Sequence, residues 1–62
     1  MILYWSTRGM GNSQVVVKSL EEGKERILEK LHALVPSAAE FAMREIDVTG
    51  KWSNGFITVA IL

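Results

Sequence analysis

The chain carries few side chains that could perform acid–base or metal chemistry. It has one histidine and no cysteine among 62 residues. A general base needs an orienting group and a nucleophile within reach, and a metal ligand needs two or three companions at defined spacing. His32 has neither, so we interpret it as a polar residue at a helix C-terminus, where the helix dipole favours a cation. We therefore predict no catalytic residue, no metal site and no cofactor, and we do not expect an enzyme.

Three acidic residues, Glu40, Glu45 and Asp47, lie close together in the sequence and raise the question of a divalent-ion site. In an extended strand Glu45 and Asp47 would point to the same side. The D-x-D-x-D-G spacing of a calcium loop is absent, however. We interpret these carboxylates as part of a solvated sheet face.

The Gly9-Met10-Gly11 segment has the glycines of a phosphate-binding loop but not the setting. Such a loop runs from a strand into a helix N-terminus, whereas this one is flanked by two segments of strand-forming residues. We predict a hairpin in which strands Ile2–Thr7 and 14–18 are joined by a loop over residues 8–13. Glycine and asparagine in the loop reach the positive φ that turns require.

A long amphipathic helix is predicted to follow. Ser19 and Glu22 form an S-x-x-E capping box, in which the carboxylate returns to the backbone N–H of the cap residue. The apolar stripe that should face the core contains Leu20, Ile27, Leu31 and Leu34. Gly23 lies on the same stripe, and we interpret it as a point of close approach to the sheet.

The helix should end at Val35, because the residue before Pro36 is pushed out of the α region. Ser37 and Glu40 have the spacing of a second capping box, which predicts a short helical turn that reaches Met43.

From Ile46 onwards the apolar residues alternate, which predicts a strand, and Asn54-Gly55 predicts a type I′ hairpin turn. Counting outwards from that turn pairs Ser53 with Phe56 and Trp52 with Ile57. This arrangement places the apolar residues of both strands on one face of the ribbon.

At its three matching positions, Gly55, Phe56 and Val59, the C-terminal ribbon is similar to the RNP1 strand of RNA-recognition motifs. The leading basic residue and the second stacking aromatic of that motif are absent, and the chain is shorter than its β-α-β-β-α-β fold. Aromatic residues on an open sheet face can still stack single-stranded bases in another architecture.

Composition limits the possible partners. Seven basic and seven acidic residues give a net charge of zero, which supplies no field to hold a phosphate backbone and disfavours nucleic acid as a partner. The apolar N-terminal stretch is far shorter than the roughly 20 residues of a membrane span. We therefore expect a soluble, cytoplasmic protein with no membrane partner.

These segments predict one α+β domain over residues 1–62. Its architecture is two-layer β-β-α-β-β, with one amphipathic helix on one face of a mainly antiparallel four-stranded sheet. A domain of this size is marginal alone, and the 48% hydrophobic content could support either a core or self-association.

A single helix would leave one sheet face bare. Phe56, part of the Ile2–Trp5 segment and at least one of the three consecutive valines would be exposed there, and exposed apolar area of this kind usually marks a partner surface. We therefore predict a non-enzymatic protein-interaction module that self-associates as a homodimer or binds a larger protein. In size and economy it resembles the small modulators and inhibitors encoded by phages and mobile elements. The predicted contact residues are aromatic anchors with a basic rim: Tyr4, Trp5, Phe56, Arg8 and Lys51. The alternative is a single-stranded nucleic-acid-binding protein that uses the same face.

Overall fold

The computed structural model describes residues 1–62 and contains two helices and four strands. In chain order these are β1, β2, α1, α2, β3 and β4, which span Ile2–Thr7, Gly11–Val16, Leu20–Leu34, Pro36–Thr49, Lys51–Ser53 and Ile57–Ile61. The sheet has the strand order β2-β1-β4-β3, and every neighbouring pair is antiparallel. The α+β class and the four-stranded antiparallel sheet are confirmed, whereas the prediction of one helix is wrong.

The first hairpin is tighter than the prediction. β2 begins at Gly11, three residues earlier than expected, so only Arg8, Gly9 and Met10 separate the two strands. Gly9 and Gly11 adopt φ of 79° and 81°, and this left-handed backbone lets the chain reverse within so short a loop. Val17, predicted inside the strand, lies just beyond it and is buried in the core.

The predicted start of α1 is confirmed. Ser19 is the N-cap, and its hydroxyl accepts a hydrogen bond from the backbone N–H of Glu22 at 3.2 Å. The Glu22 carboxylate, however, accepts from the backbone N–H of Lys18 and not from that of Ser19, so the capping box reaches one residue further back. Gly23, Ile27 and Leu31 are the buried residues of the helix, while the outer members of the predicted stripe, Leu20 and Leu34, are exposed.

Gly23 brings α1 against the last strand, as predicted. A Cβ at this position would lie 2.9 Å from Cδ1 of Ile61 and 3.5 Å from a methyl group of Val17. Glycine in a helix costs about 1 kcal/mol relative to alanine. The close packing of the helix on the sheet offsets this cost, because a side chain at this position would push the two apart.

The second helix is the main correction to the prediction. α2 continues to Thr49, so residues 46–49 are helical and not the beginning of a strand. Ala39, Ala42 and Ile46 recur at the spacing of one helix face and are buried, while Val48 is exposed. The alternation seen from Ile46 fits a strand, but the helix-forming residues before it propagate a helix into which Ile46 packs equally well.

Both ends of α2 also differ from the expectation. Val35 is the N-cap and makes no side-chain hydrogen bond, so the second capping box at Ser37 is wrong; Pro36 occupies the first turn, where its missing N–H is harmless. The helix ends at Gly50, which adopts φ 80° and donates its N–H to the carbonyl of Ile46 at 2.8 Å.

The C-terminal hairpin forms with a wider loop than a two-residue turn. Trp52 pairs with Val59 and Ser53 with Thr58, two residues away from the predicted partners. The side chain of Asn54 accepts backbone hydrogen bonds from Phe56 and Ile57 at 2.8 and 2.7 Å, which stabilises the wider loop. Because the shift is an even number of residues, the apolar residues of β3 and β4 still share one face.

Buried side chains from both helices and from one sheet face form a single apolar core. β1 and β4 contribute alternate residues, β3 contributes Trp52, and each helix contributes one stripe. The core residues are Leu3, Trp5, Val17, Ile27, Leu31, Ala39, Ala42, Ile46, Trp52, Ile57, Val59 and Ile61. We call the opposite side of the sheet the open face.

One ion pair joins the two helices. The ammonium of Lys24 in α1 contacts the carboxylate of Asp47 in α2, and it lies 3.8 Å from Glu21. The hydrogen bond to Asp47 raises the pKa of Lys24 above its ordinary value of 10.5, and partial desolvation opposes that shift. Asp47 is therefore an exposed helix residue that contacts a lysine, and its predicted position on a strand is wrong.

The left-handed backbone conformation of Gly50, at the end of α2, predicts the relative stability of variants at this position. Replacing Gly50 with Ala should lower the free energy of unfolding by roughly 1–2 kcal/mol, because a Cβ is strained at positive φ. Gly50→Asn should lose less, since asparagine tolerates this backbone conformation. Urea denaturation followed by circular dichroism measures both variants. An alanine variant as stable as the parent would contradict the assigned helix end.

The Lys24 ion pair predicts a stability contribution that disappears at alkaline pH. A raised folded-state pKa means that the contribution is complete below 10.5 and is lost as the pH rises through the folded-state value. Lys24→Met should therefore be less stable than the parent at neutral pH, and the difference should shrink as the pH is raised above 10.5. Lys51→Met, which removes an unpaired lysine, is the control. A pH-independent difference for Lys24→Met would refute the assignment.

Candidate functional site

The open face is arranged in cross-strand rows that grade from apolar to polar. At the edge nearest the chain ends, Val16, Ile2 and Leu62 lie side by side and are exposed. The middle row is mixed, and the last row is polar throughout. These two rows are Gln14–Tyr4–Ala60–Lys51 and Asn12–Ser6–Thr58–Ser53.

The five predicted contact residues do not share one surface. Tyr4 and Lys51 lie in one row of the open face, on either side of Ala60. Trp5 points to the opposite side and is only 7% exposed, so its predicted position on the bare face is wrong. Phe56, also predicted for that face, is exposed in the loop before β4, and the backbone N–H of Arg8 donates to its carbonyl at 2.8 Å.

This separation has a consequence for base stacking. A stacking platform for single-stranded bases needs several aromatic side chains on one accessible surface. Tyr4 is the one aromatic residue on the open face, because the other four lie elsewhere: Trp5 and Trp52 in the core, Phe41 on α2 and Phe56 in a loop. The geometry therefore gives the nucleic-acid alternative no support.

The outer edge of β2 presents unpaired backbone groups. Ile2 exchanges its N–H and C=O with Leu62, at 2.9 and 2.8 Å, so the residue opposite it in β2, Val16, directs its own groups away from the sheet. By the same alternation Gln14 and Asn12 also direct their backbone groups outwards. All six residues of β2 are exposed, in contrast to the buried alternate residues of the other three strands.

An apolar cleft of about 500 Å³ lies where the first hairpin, the C-terminal end of α1 and the β3–β4 loop meet. Its lining includes three exposed apolar side chains, Met10, Leu34 and Phe56. The remaining lining residues are Trp5, Thr7, Lys30, Ala33, Val35 and Ile57. Sequence reasoning placed Trp5 and Phe56 together on a sheet face; the structure brings them together in this cleft instead.

Lys30 and Thr7 are the polar residues of the cleft. The Lys30 ammonium lies 4.8 Å from the centre of the Trp5 ring, a cation–π arrangement. The Thr7 hydroxyl oxygen accepts a hydrogen bond from the Trp5 indole N–H at 2.9 Å, which fixes the ring. Sequence analysis missed Lys30 because its helix position looks like one more solvated charge; no local pattern marks its distance from Trp5.

A second, smaller cleft lies between α2 and β3. It has a volume of about 360 Å³, and its lining includes Phe41, Glu45 and Lys51. Five of the seven residues that line it are polar.

The other candidates from the sequence do not assemble into a chemical site. Glu40 contacts Arg44 at 3.7 Å and Asp47 contacts Lys24, so two of the three acids are engaged in ion pairs. His32 is exposed on α1. No group of three His, Cys, Asp or Glu side chains lies close enough to hold a metal ion.

Neither helix has the length and apolar character needed to cross a membrane. Comparisons with protein families, with curated proteins and with solved structures found no match for this chain.

The Trp5–Thr7 hydrogen bond gives a direct test of how the cleft is built. Thr7→Val removes the acceptor and should accelerate hydrogen exchange at the Trp5 indole N–H, while Thr7→Ser keeps the oxygen and should preserve slow exchange. Exchange of the indole protons measured by NMR reads this directly, with the Trp52 indole as an internal control. Equal protection of the Trp5 indole in both variants would mean that Thr7 does not orient the ring.

Proposed function

We propose that this chain is a small protein-interaction module that self-associates by pairing β2 with β2 of a second copy. The observation that carries the proposal is the β2 edge, with all six residues exposed and its outward backbone groups unpaired. Unpaired edge groups are a template for another strand.

The β2 edge lacks the usual protections against such pairing. Native edge strands are blocked by charged residues, prolines or bulges. From Gly11 to Val16 there is no charged residue and no proline, and the pairing with β1 is continuous without a bulge. The opposite edge strand, β3, is three residues long and adjoins α2, so it offers a much shorter template.

A second copy suits this edge better than a charged partner. Two antiparallel β2 strands can pair about a two-fold axis beside Gln14, which sets Val16 of each copy opposite Asn12 of the other. The paired segments are uncharged, and the whole chain has zero net charge, so no repulsion opposes association. The apolar row of Val16, Ile2 and Leu62 would lie next to the join.

Pairing of two copies would also add stability to a domain whose small size limits its core. With 62 residues and no disulfide, the core alone supports a marginal stability. A continuous eight-stranded sheet across two copies would bury an edge that is otherwise in water, and would leave the apolar cleft of each copy accessible.

The test is the oligomeric state of edge variants. Gln14→Pro removes an outward N–H while leaving the bonds to β1 intact, and the change occurs in both copies. Two lost hydrogen bonds of about 1 kcal/mol each should weaken dimerisation roughly 30-fold. Sedimentation velocity over a range of concentrations measures the dissociation constant.

Val16→Lys and Val48→Lys form a matched pair for the same measurement. The two valines are 79% and 83% exposed, but only Val16 lies on the β2 edge. Val16→Lys should weaken dimerisation and Val48→Lys should leave it unchanged. A parent protein that is monomeric at every concentration would refute self-association. Equal effects of the two lysines would refute the edge as its site.

A further inference from the structure

We infer that the apolar cleft beneath the end of α1 binds an amphipathic monocarboxylate, with its aliphatic chain against Trp5 and Phe56 and its carboxylate on Lys30. The cleft is distinct from the β2 edge, so this inference is independent of self-association. Its volume of about 500 Å³ falls within the range of roughly 300–1,000 Å³ typical of small-molecule sites.

The positive charge of the cleft favours a negatively charged ligand. Lys30 is the one charged residue in its lining, and no acidic residue lines it. The cations Lys24, Arg26 and Arg44 are each paired with a carboxylate, whereas Lys30 is in no ion pair. Its contact with the Trp5 ring leaves the ammonium free to donate hydrogen bonds to an anion.

The Thr7 hydroxyl supplies a second donor. Its oxygen already accepts the Trp5 indole N–H, so its own proton remains available to a ligand oxygen. Lys30 and Thr7 both contact Trp5, so the two donors lie close to the same ring. A single carboxylate matches one ammonium and one hydroxyl, whereas a multiply charged phosphate would lack further cations.

The rest of the lining is apolar and favours a ligand with an apolar chain. Met10, Leu34 and Phe56 are exposed apolar side chains gathered at one place, although large apolar side chains are normally removed from water. A flexible methionine at the rim allows the cleft to adapt to chains of different length. An aliphatic chain would cover these side chains.

The probe is octanoate, compared with octan-1-ol and octylammonium at neutral pH. In two-dimensional NMR of the whole chain, octanoate should shift the Trp5 indole signal and the Met10 methyl signal saturably. Octan-1-ol should bind at least about tenfold more weakly, because it lacks the charged group that strengthens the hydrogen bonds. Octylammonium should not bind, because it would face Lys30.

Lys30→Met and Lys51→Met are the matched variants. Lys30→Met keeps the aliphatic stem and should abolish the preference for octanoate over octan-1-ol, while Lys51→Met, on the open face, should keep it. Far-ultraviolet circular dichroism verifies that both variants are folded. Equal binding of octanoate and octan-1-ol by the parent, shifts outside the cleft, or no saturable shift up to the solubility limit would each overturn the inference.

Discussion

The structure depends on the pairing of its first strand with its last. β1 and β4 are the central strands of the sheet, and Ile2 and Leu62 exchange backbone hydrogen bonds at the edge of their ladder. Leu3, Trp5, Val59 and Ile61 from these two strands provide much of the floor of the core. Without this pairing the two hairpins would be separate ribbons, which are marginal in water by themselves.

The same pairing determines which surfaces remain available. Because β1 and β4 are central, β2 is an edge strand, and all of its residues are exposed. The two proposed interactions therefore use different surfaces of the fold. The β2 edge offers backbone groups, and the cleft offers apolar side chains gathered around one lysine.

The parts of the fold that depend on local chemistry could be predicted from the sequence. The Ser19 cap, the close approach at Gly23 and the two hairpins each follow from residues near one another in the chain. The second helix could not be separated from a strand, because Ile46 satisfies both periodicities and only packing decides between them. The hairpin register was also beyond reach, since it depends on how the Asn54 side chain bonds the loop.

The candidate sites were harder to predict for the same reason. Trp5 and Lys30 are 25 residues apart in the sequence, and their 4.8 Å contact exists only after α1 crosses the sheet. Alternation along Ile2–Trp5 gave no indication of which residues face inwards, because all four are apolar or aromatic. The position of Tyr4 on the open face and of Trp5 in the core follows from pairing with β4.

The central position of β4 has a consequence for biosynthesis. Of the six elements of this fold, β1 is synthesised before all the others, whereas β4, its partner in the middle of the sheet, is synthesised after them. Strands that are distant in sequence pair slowly. Before they pair, their exposed edges can bind the strand of another chain. The edge of β1 that faces β4 therefore stays unpaired in the nascent chain until the C-terminal ribbon has been synthesised, and slow pairing lengthens the time for which that edge can bind another chain.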